Sequence, residues 1–219
     1  LTYSNLTISS SGTKTLGDNT TVNGNLTINT VTTLDTSTYT LGIGGDFTVN
    51  GALSGSGVVS LSGSSKNIDG SGYIANPVTI TNAKTILSSA NLTFNGAVTM
   101  SGGAADVTNN GTVTFTSTLD GTTSPTWTNA ANSTLNYAGA TLFATSGILT
   151  ATANPNTVNY NGAAQTVKGV TYHHITLSGS GTKTLASGFG PVNGNLTLSG
   201  TASAATPSAL TISGNLDVG

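Results

Sequence analysis

A three-residue unit, apolar then Thr or Asn then apolar, returns along the whole chain. Its clearest copies lie in Val22-Asn23-Gly24-Asn25-Leu26-Thr27-Ile28 and Val192-Asn193-Gly194-Asn195-Leu196-Thr197-Leu198. In extended backbone, successive side chains point to opposite faces, so Leu26 and Ile28 point one way and Thr27 the other. Variants are Phe47-Thr48-Val49, Val78-Thr79-Ile80, Val98-Thr99-Met100, Val113-Thr114-Phe115, Leu135-Asn136-Tyr137, Val158-Asn159-Tyr160 and Ile175-Thr176-Leu177. Most steps from one unit to the next are 20 to 23 residues. The step from Phe47 to Val78 is longer, and Val58-Val59 marks an extra strand inside it. A unit this short cannot bury its own apolar face, so it must stack on its neighbours.

A larger repeat encloses the short one. Tyr3 aligns with Tyr172 at an offset of 169 residues. Gly12-Thr13-Lys14-Thr15-Leu16 then falls on the identical Gly181-Thr182-Lys183-Thr184-Leu185. After one inserted residue, Val22 to Thr27 match Val192 to Thr197 at every position. Residues 3–50 therefore recur as 172–219. Leu1-Thr2-Tyr3 corresponds to Val170-Thr171-Tyr172 in mid-array, and neither end carries the polar cap that repeat proteins normally have. The reading at this point is a window on a longer tandem chain, or subunits that stack head to tail.

Composition decides between order and disorder. Charged residues are only 5% against roughly a quarter in ordinary domains. Thr, Ser, Asn and Gly fill more than half the chain. Disordered chains are rich in charge and Pro, whereas this one has 5 Pro and abundant Thr, Val and Ile, which favour strands. Net charge is -2, all cations are isolated Lys, and no basic patch is available for nucleic acid or anionic lipid. No run approaches the roughly 18 apolar residues of a membrane span. No signal peptide is visible, and a start at Leu1 rather than Met is read as a processed chain or a fragment. The absence of Cys excludes disulfides and thiolate metal sites. A hydroxyl-rich, nearly uncharged surface points to an extracellular or cell-surface setting.

The expected fold is all-β: a single parallel β-solenoid domain over 1–219, with about ten coils. The alternative is antiparallel β-sandwich modules, because Asn-Gly at 23, 50, 95, 110, 161 and 193 is also a strong hairpin signal. Near-constant spacing favours the solenoid, with Asn-Gly serving as corners. Asp120 to Asn132, which holds Pro125 and Trp127, is expected to protrude as a loop.

The stretch from Asn156 to Gly162, with Gln165-Thr166-Val167, Tyr172 to Leu185 and Val192 to Leu198, resembles the repeats of very long bacterial cell-surface proteins. Residues 1–50 match too, and the middle fits more loosely. These are adhesin-like tandem-repeat proteins with a parallel β-helix fold and Asn-Gly-Asn-Leu-Thr-(Ile/Leu) repeats. The resemblance implies a secreted or surface-anchored structural or adhesive role, and carries over no catalytic residue.

Candidate chemistry is sparse. His173 and His174, adjacent on a strand, are expected to face opposite sides and so not to share a metal. Their counterparts Ser4 and Asn5 suggest a structural role. Asp46 and Asp69 lie about one coil apart and could come close. A polysaccharide-active centre, however, wants a tight carboxylate pair, commonly with a cation, and Arg is absent. No calcium-loop motif is present. Thr-x-Thr pairs at Thr13, Thr79, Thr112, Thr114, Thr126 and Thr182 would suit an ice-binding face only if they stacked into one regular array. No catalytic, cofactor or metal site is therefore expected. The expected function is structural or adhesive: a segment of an extracellular fibre that associates with itself, with surface glycans as a further partner. An ice-binding or glycan-binding module is the alternative, and a polysaccharide-active β-helix enzyme a weaker one.

Overall fold

The structure is a computed structural model that describes residues 1–206 and 209–219. Among these the chain winds into a parallel β-solenoid of about ten turns, without helix and with only parallel pairings. The second turn illustrates the plan: Thr20–Val22 lies on face I, Leu26–Ile28 on face II and Thr32–Asp35 on face III. The third repeats it with Leu41–Ile43, Phe47–Val49 and Ala52–Ser54. Faces I, II and III form sheets of seven, eight and eleven strands. Face I is interrupted after Leu119–Gly121 and resumes through the Thr141–Thr166 bridge as Gln165–Val167, Ser180–Leu185 and Thr201–Ala205. Face II thins to single bridges that link Ala151, Tyr172, Val192 and Ile212.

The apolar-polar-apolar unit explains this geometry. Leu26 pairs with Phe47, Thr27 with Thr48 and Ile28 with Val49, so like sits on like from the second turn to the third. Leu26, Ile28, Val78, Ile80, Val98, Val113, Phe115 and Leu196 are buried, while Thr27, Thr79 and Thr197 face outward and are half-exposed. Leu198, in register with Val218, is only partly buried. On face III the inward column runs Phe94, Phe115, Tyr137, Tyr160 and Leu177. Phe94 and Phe115 stack at 5.1 Å between centroids, and Tyr137 meets Tyr160 edge-on at 6.2 Å.

The Asn-Gly sites are corners rather than hairpins. Asn23 N–H donates to Tyr3 O at 2.9 Å and Gly194 N–H to His173 O at 2.8 Å, each reaching the turn below. Some corners demand glycine. Gly70 has φ of +113°, and a Cβ there would lie 2.0 Å from Val49 O. The loop expected at Asp120 to Asn132 is instead two strands, Leu119–Gly121 and Thr126–Asn129. Trp127, in register with Val107 and Leu149, is 1% exposed and fills the core.

The long repeat carries a slip. Leu6–Ile8 lies on face II, whereas its counterpart His174–Leu177 lies on face III. Leu26–Ile28 is likewise on face II and Leu196–Leu198 on face III. The two near-identical stretches are displaced by one face of the prism.

Candidate functional site

Outward side chains form columns along each face. Face I presents Thr21, Gly42, Ser60, Thr79, Thr99 and Asp120 in register. Face III presents two adjoining columns over several turns: Asn91 and Thr93, Thr112 and Thr114, Thr134 and Asn136, Thr157 and Asn159, His174 and Thr176. Its amides bond along the column, with Asn136 Nδ2 donating to Thr114 Oγ1 at 3.2 Å and Asn159 Nδ2 to Asn136 Oδ1 at 3.3 Å. The Thr-x-Thr pairs do not gather into one array. Thr112 and Thr114 lie on face III, Thr126 and Thr128 on face II, and Thr182 and Thr184 on resumed face I.

His174 has a defined task at a corner. In the first copy Asn25 N–H donates to Asn5 Oδ1 at 2.8 Å, Asp46 N–H to Asn25 Oδ1 at 2.9 Å and Asn67 N–H to Asp46 Oδ1 at 2.8 Å. In the second copy Asn195 N–H donates to His174 Nδ1 at 2.9 Å and Asn215 N–H to Asn195 Oδ1 at 3.0 Å. His174 thus replaces the Asn5 acceptor. Burial, then the neighbouring His173, holds its imidazole below the ordinary histidine pKa of 6.5. The expectation that the two rings diverge is corrected. His173 precedes the strand, sits at the corner, and its ring lies 4.2 Å from that of His174, edge to face.

The carboxylates are dispersed among structural tasks. Asp69 stands opposite Thr48, two residues along from Asp46, and accepts from Ser89 Oγ at 2.9 Å. Asp120 sits where face I breaks off. Burial raises its pKa, but Thr145 and the N–H groups of Gly121, Ser146 and Thr145 outweigh this and hold it below the usual carboxylate range. Among the described residues, no group of three or more His or Asp side chains could hold a metal ion.

Lysines serve as inward staples, which the sequence did not disclose. Lys183 is fully buried, and its Nζ donates to Gly162 O, Ala163 O and Gln165 Oε1 at 2.6–2.7 Å. Lys84 Nζ donates to Gly63 O and Asn82 O at 2.5 and 3.0 Å, and burial lowers its pKa to about 8. Lys14, the counterpart of Lys183, bonds only the carbonyls of its own corner, Ser10 and Ser11.

One concavity stands out on face III, a hollow of about 540 Å³ between Val31 and Tyr73. The column through it reads Thr13, Thr33, Ala52, Tyr73, Thr93. Ala52 makes the floor, Tyr73 one wall, and Thr33, Asn50, Ser71 and Thr93 line it with neutral polar groups. Tyr73 is 45% exposed and Val31 81%. None of the sequence motifs flagged this place, because it is defined by an exception, an aromatic and a small residue in a column of Thr and Asn.

A scan of protein-family models, curated proteins and solved structures finds no match to the chain. Among the described residues no helix is long and apolar enough to cross a membrane.

Proposed function

We propose that this chain is a structural segment of an extracellular, cell-surface fibre, adhesin-like in construction, whose task is to supply rigid length and to stack end to end. The observation that carries this reading is the slip of the long repeat. Near-identical sequence serves face II in one copy and face III in the other. A dedicated catalytic or binding face would need its outward residues kept on one side. What the two copies preserve is the ability to form a coil. The staples, corner ladders and aromatic column all serve that same end. Stacked copies would pair strand on strand as the turns do within the chain, and such a head-to-tail contact does not close on itself. Light scattering and negative-stain imaging over a concentration series test this. Thin rods that lengthen with concentration, and are lost in Leu216→Asp, are expected. Compact monomers at every concentration, unaffected by Leu216→Asp, would overturn it.

A second reading, an ice-binding face, draws on the two hydroxyl and amide columns from Asn91 to Thr176 on face III. It is the weaker one, because His174, Asn136 and Asn159 break the Thr pattern. Thermal hysteresis that disappears in Thr114→Lys would support it, and its absence in the unmodified chain would exclude it.

A further inference from the structure

We propose that the hollow between Val31 and Tyr73 on face III is a binding subsite for a neutral sugar unit of a polysaccharide. Three independent features converge there. First, its volume, about 540 Å³, falls in the range of small-molecule sites, roughly 300–1,000 Å³. Ala52 creates this space: along the same column its neighbours are Thr33 and Tyr73, so one small residue removes a rung of bulk.

Second, the walls are apolar and exposed at a cost. Tyr73 stands 45% exposed beside the hollow, offering a ring face against which the C–H face of a pyranose can stack. Val31 is 81% exposed and holds φ of +57°, a left-handed conformation that is a genuine outlier for a β-branched residue. The other non-glycine left-handed positions described are Ser10, Ser37, Ser65, Ser124, Asn132 and Phe143; the first five are polar and Phe143 is buried, so Val31 is the one that is both apolar and exposed. Strain of this kind tends to persist at ligand-contacting positions.

Third, the lining is free of charge. Its polar groups are the hydroxyls of Thr33, Ser71 and Thr93, the amide of Asn50 and nearby backbone. Such groups both donate and accept, as sugar hydroxyls require. A phosphate, a sugar acid or a cationic peptide would find no counter-ion there. The open, shallow setting on a flat face admits one or two units of a longer glycan passing across the rod. This proposal goes beyond the fibre reading and does not depend on it, since binding and assembly are read by separate measurements.

The test uses the full chain and three neutral probes, cellotetraose, chitotetraose and mannotetraose, with tetragalacturonate as the acidic comparison. Two-dimensional NMR shift mapping at millimolar ligand reads the site. The expected result is that at least one neutral probe shifts Val31, Ala52 and Tyr73, while tetragalacturonate does not. Tyr73→Ala is expected to weaken that binding at least tenfold and Tyr73→Phe to retain it, because the ring face is what stacks. Ala52→Thr restores the column's usual residue, leaves Tyr73 in place and is expected to abolish binding by filling the floor. No shift with any neutral probe, shifts located elsewhere, or equal affinity in the folded Tyr73→Ala and Ala52→Thr variants would overturn the proposal. Rod formation unchanged in those variants would separate this outcome from the fibre reading.

Discussion

At the scale of single residues, the interior holds polar groups, most of them with partners, although Trp127 Nε1 and the Oδ1 atoms of Asn76, Asn156 and Asn161 are buried without one. Lys183 is the sharpest case, fully buried with three acceptors around its ammonium. Lys183→Met removes the donor and strands those acceptors, an expected loss of about 1–3 kcal/mol in denaturant unfolding. Lys14→Met, at the half-buried counterpart that bonds only its own corner, is expected to cost less, within roughly 1 kcal/mol. His174 gives a second test. Its pKa in the fold is below 6.5, so the neutral ring is favoured, and its contribution is fully present above pH 6.5 and lost as the pH falls through the folded value. Stability profiles against pH should therefore show a decline below 6.5 that is smaller in His174→Asn, which keeps an acceptor as Asn5 does. An identical decline in both chains would contradict the assignment. Burial pushes the Tyr137 and Tyr160 phenols up to about 12 from 10. Their contribution is complete below pH 10 and is lost as the pH rises toward 12, so alkaline unfolding and tyrosinate absorbance are expected to rise together there. Little of this was legible in the sequence. Lys and His at these positions look like ordinary polar strand residues, and their inward or corner placement depends on the turn beneath them.

At the scale of elements, the alternating unit was readable because Leu26, Thr27 and Ile28 state their own faces. Leu26→Asp puts an unpaired charge into a dry column and is expected to cost several kcal/mol, on the order of 3–5. Thr27→Asp, on the outward side, is expected to cost roughly 0.5 kcal/mol or less. Equal midpoint shifts for the two would invert the faces. Strands such as Thr126–Asn129 and Gln165–Val167 were harder to see, because Asn129 and Gln165 face inward and break the apolar signal. Asn129 is kept there by bonds from Asn109 Nδ2 at 2.8 Å and to Thr157 O at 3.1 Å. The hollow was illegible for a different reason. Tyr73 belongs to a two-residue strand, Tyr73–Ile74, whose neighbour Ala52 is distant in sequence and meets it only through the register. The slip of one face was equally hidden, since all three faces use the same alternation and the sequence carries no mark of which face a strand will join.

At the scale of the whole molecule, a solenoid is a device that converts residues into length at about 4.8 Å per turn. Each turn contacts its neighbours alone, so a complete turn should be removable while a partial one is not. Val98 and Leu119 are register partners on face I, so deleting Val98 to Thr118 removes one circuit and leaves every remaining strand a parallel partner. The cooperative unfolding transition is expected to survive that deletion. Removing only Val98 to Gly111 would move later strands off their present register partners, and is expected to lower the midpoint well below that of the full-circuit deletion. The chain has no native Cys, so spin labels can be placed at Thr27→Cys and Thr128→Cys, five rungs apart on face II. Double electron–electron resonance between them is expected to give a narrow distribution near about 24 Å, shortened by about 5 Å in the deletion of Val98 to Thr118. An unchanged distance after the deletion, or a broad distribution in the intact chain, would contradict a rod built turn by turn.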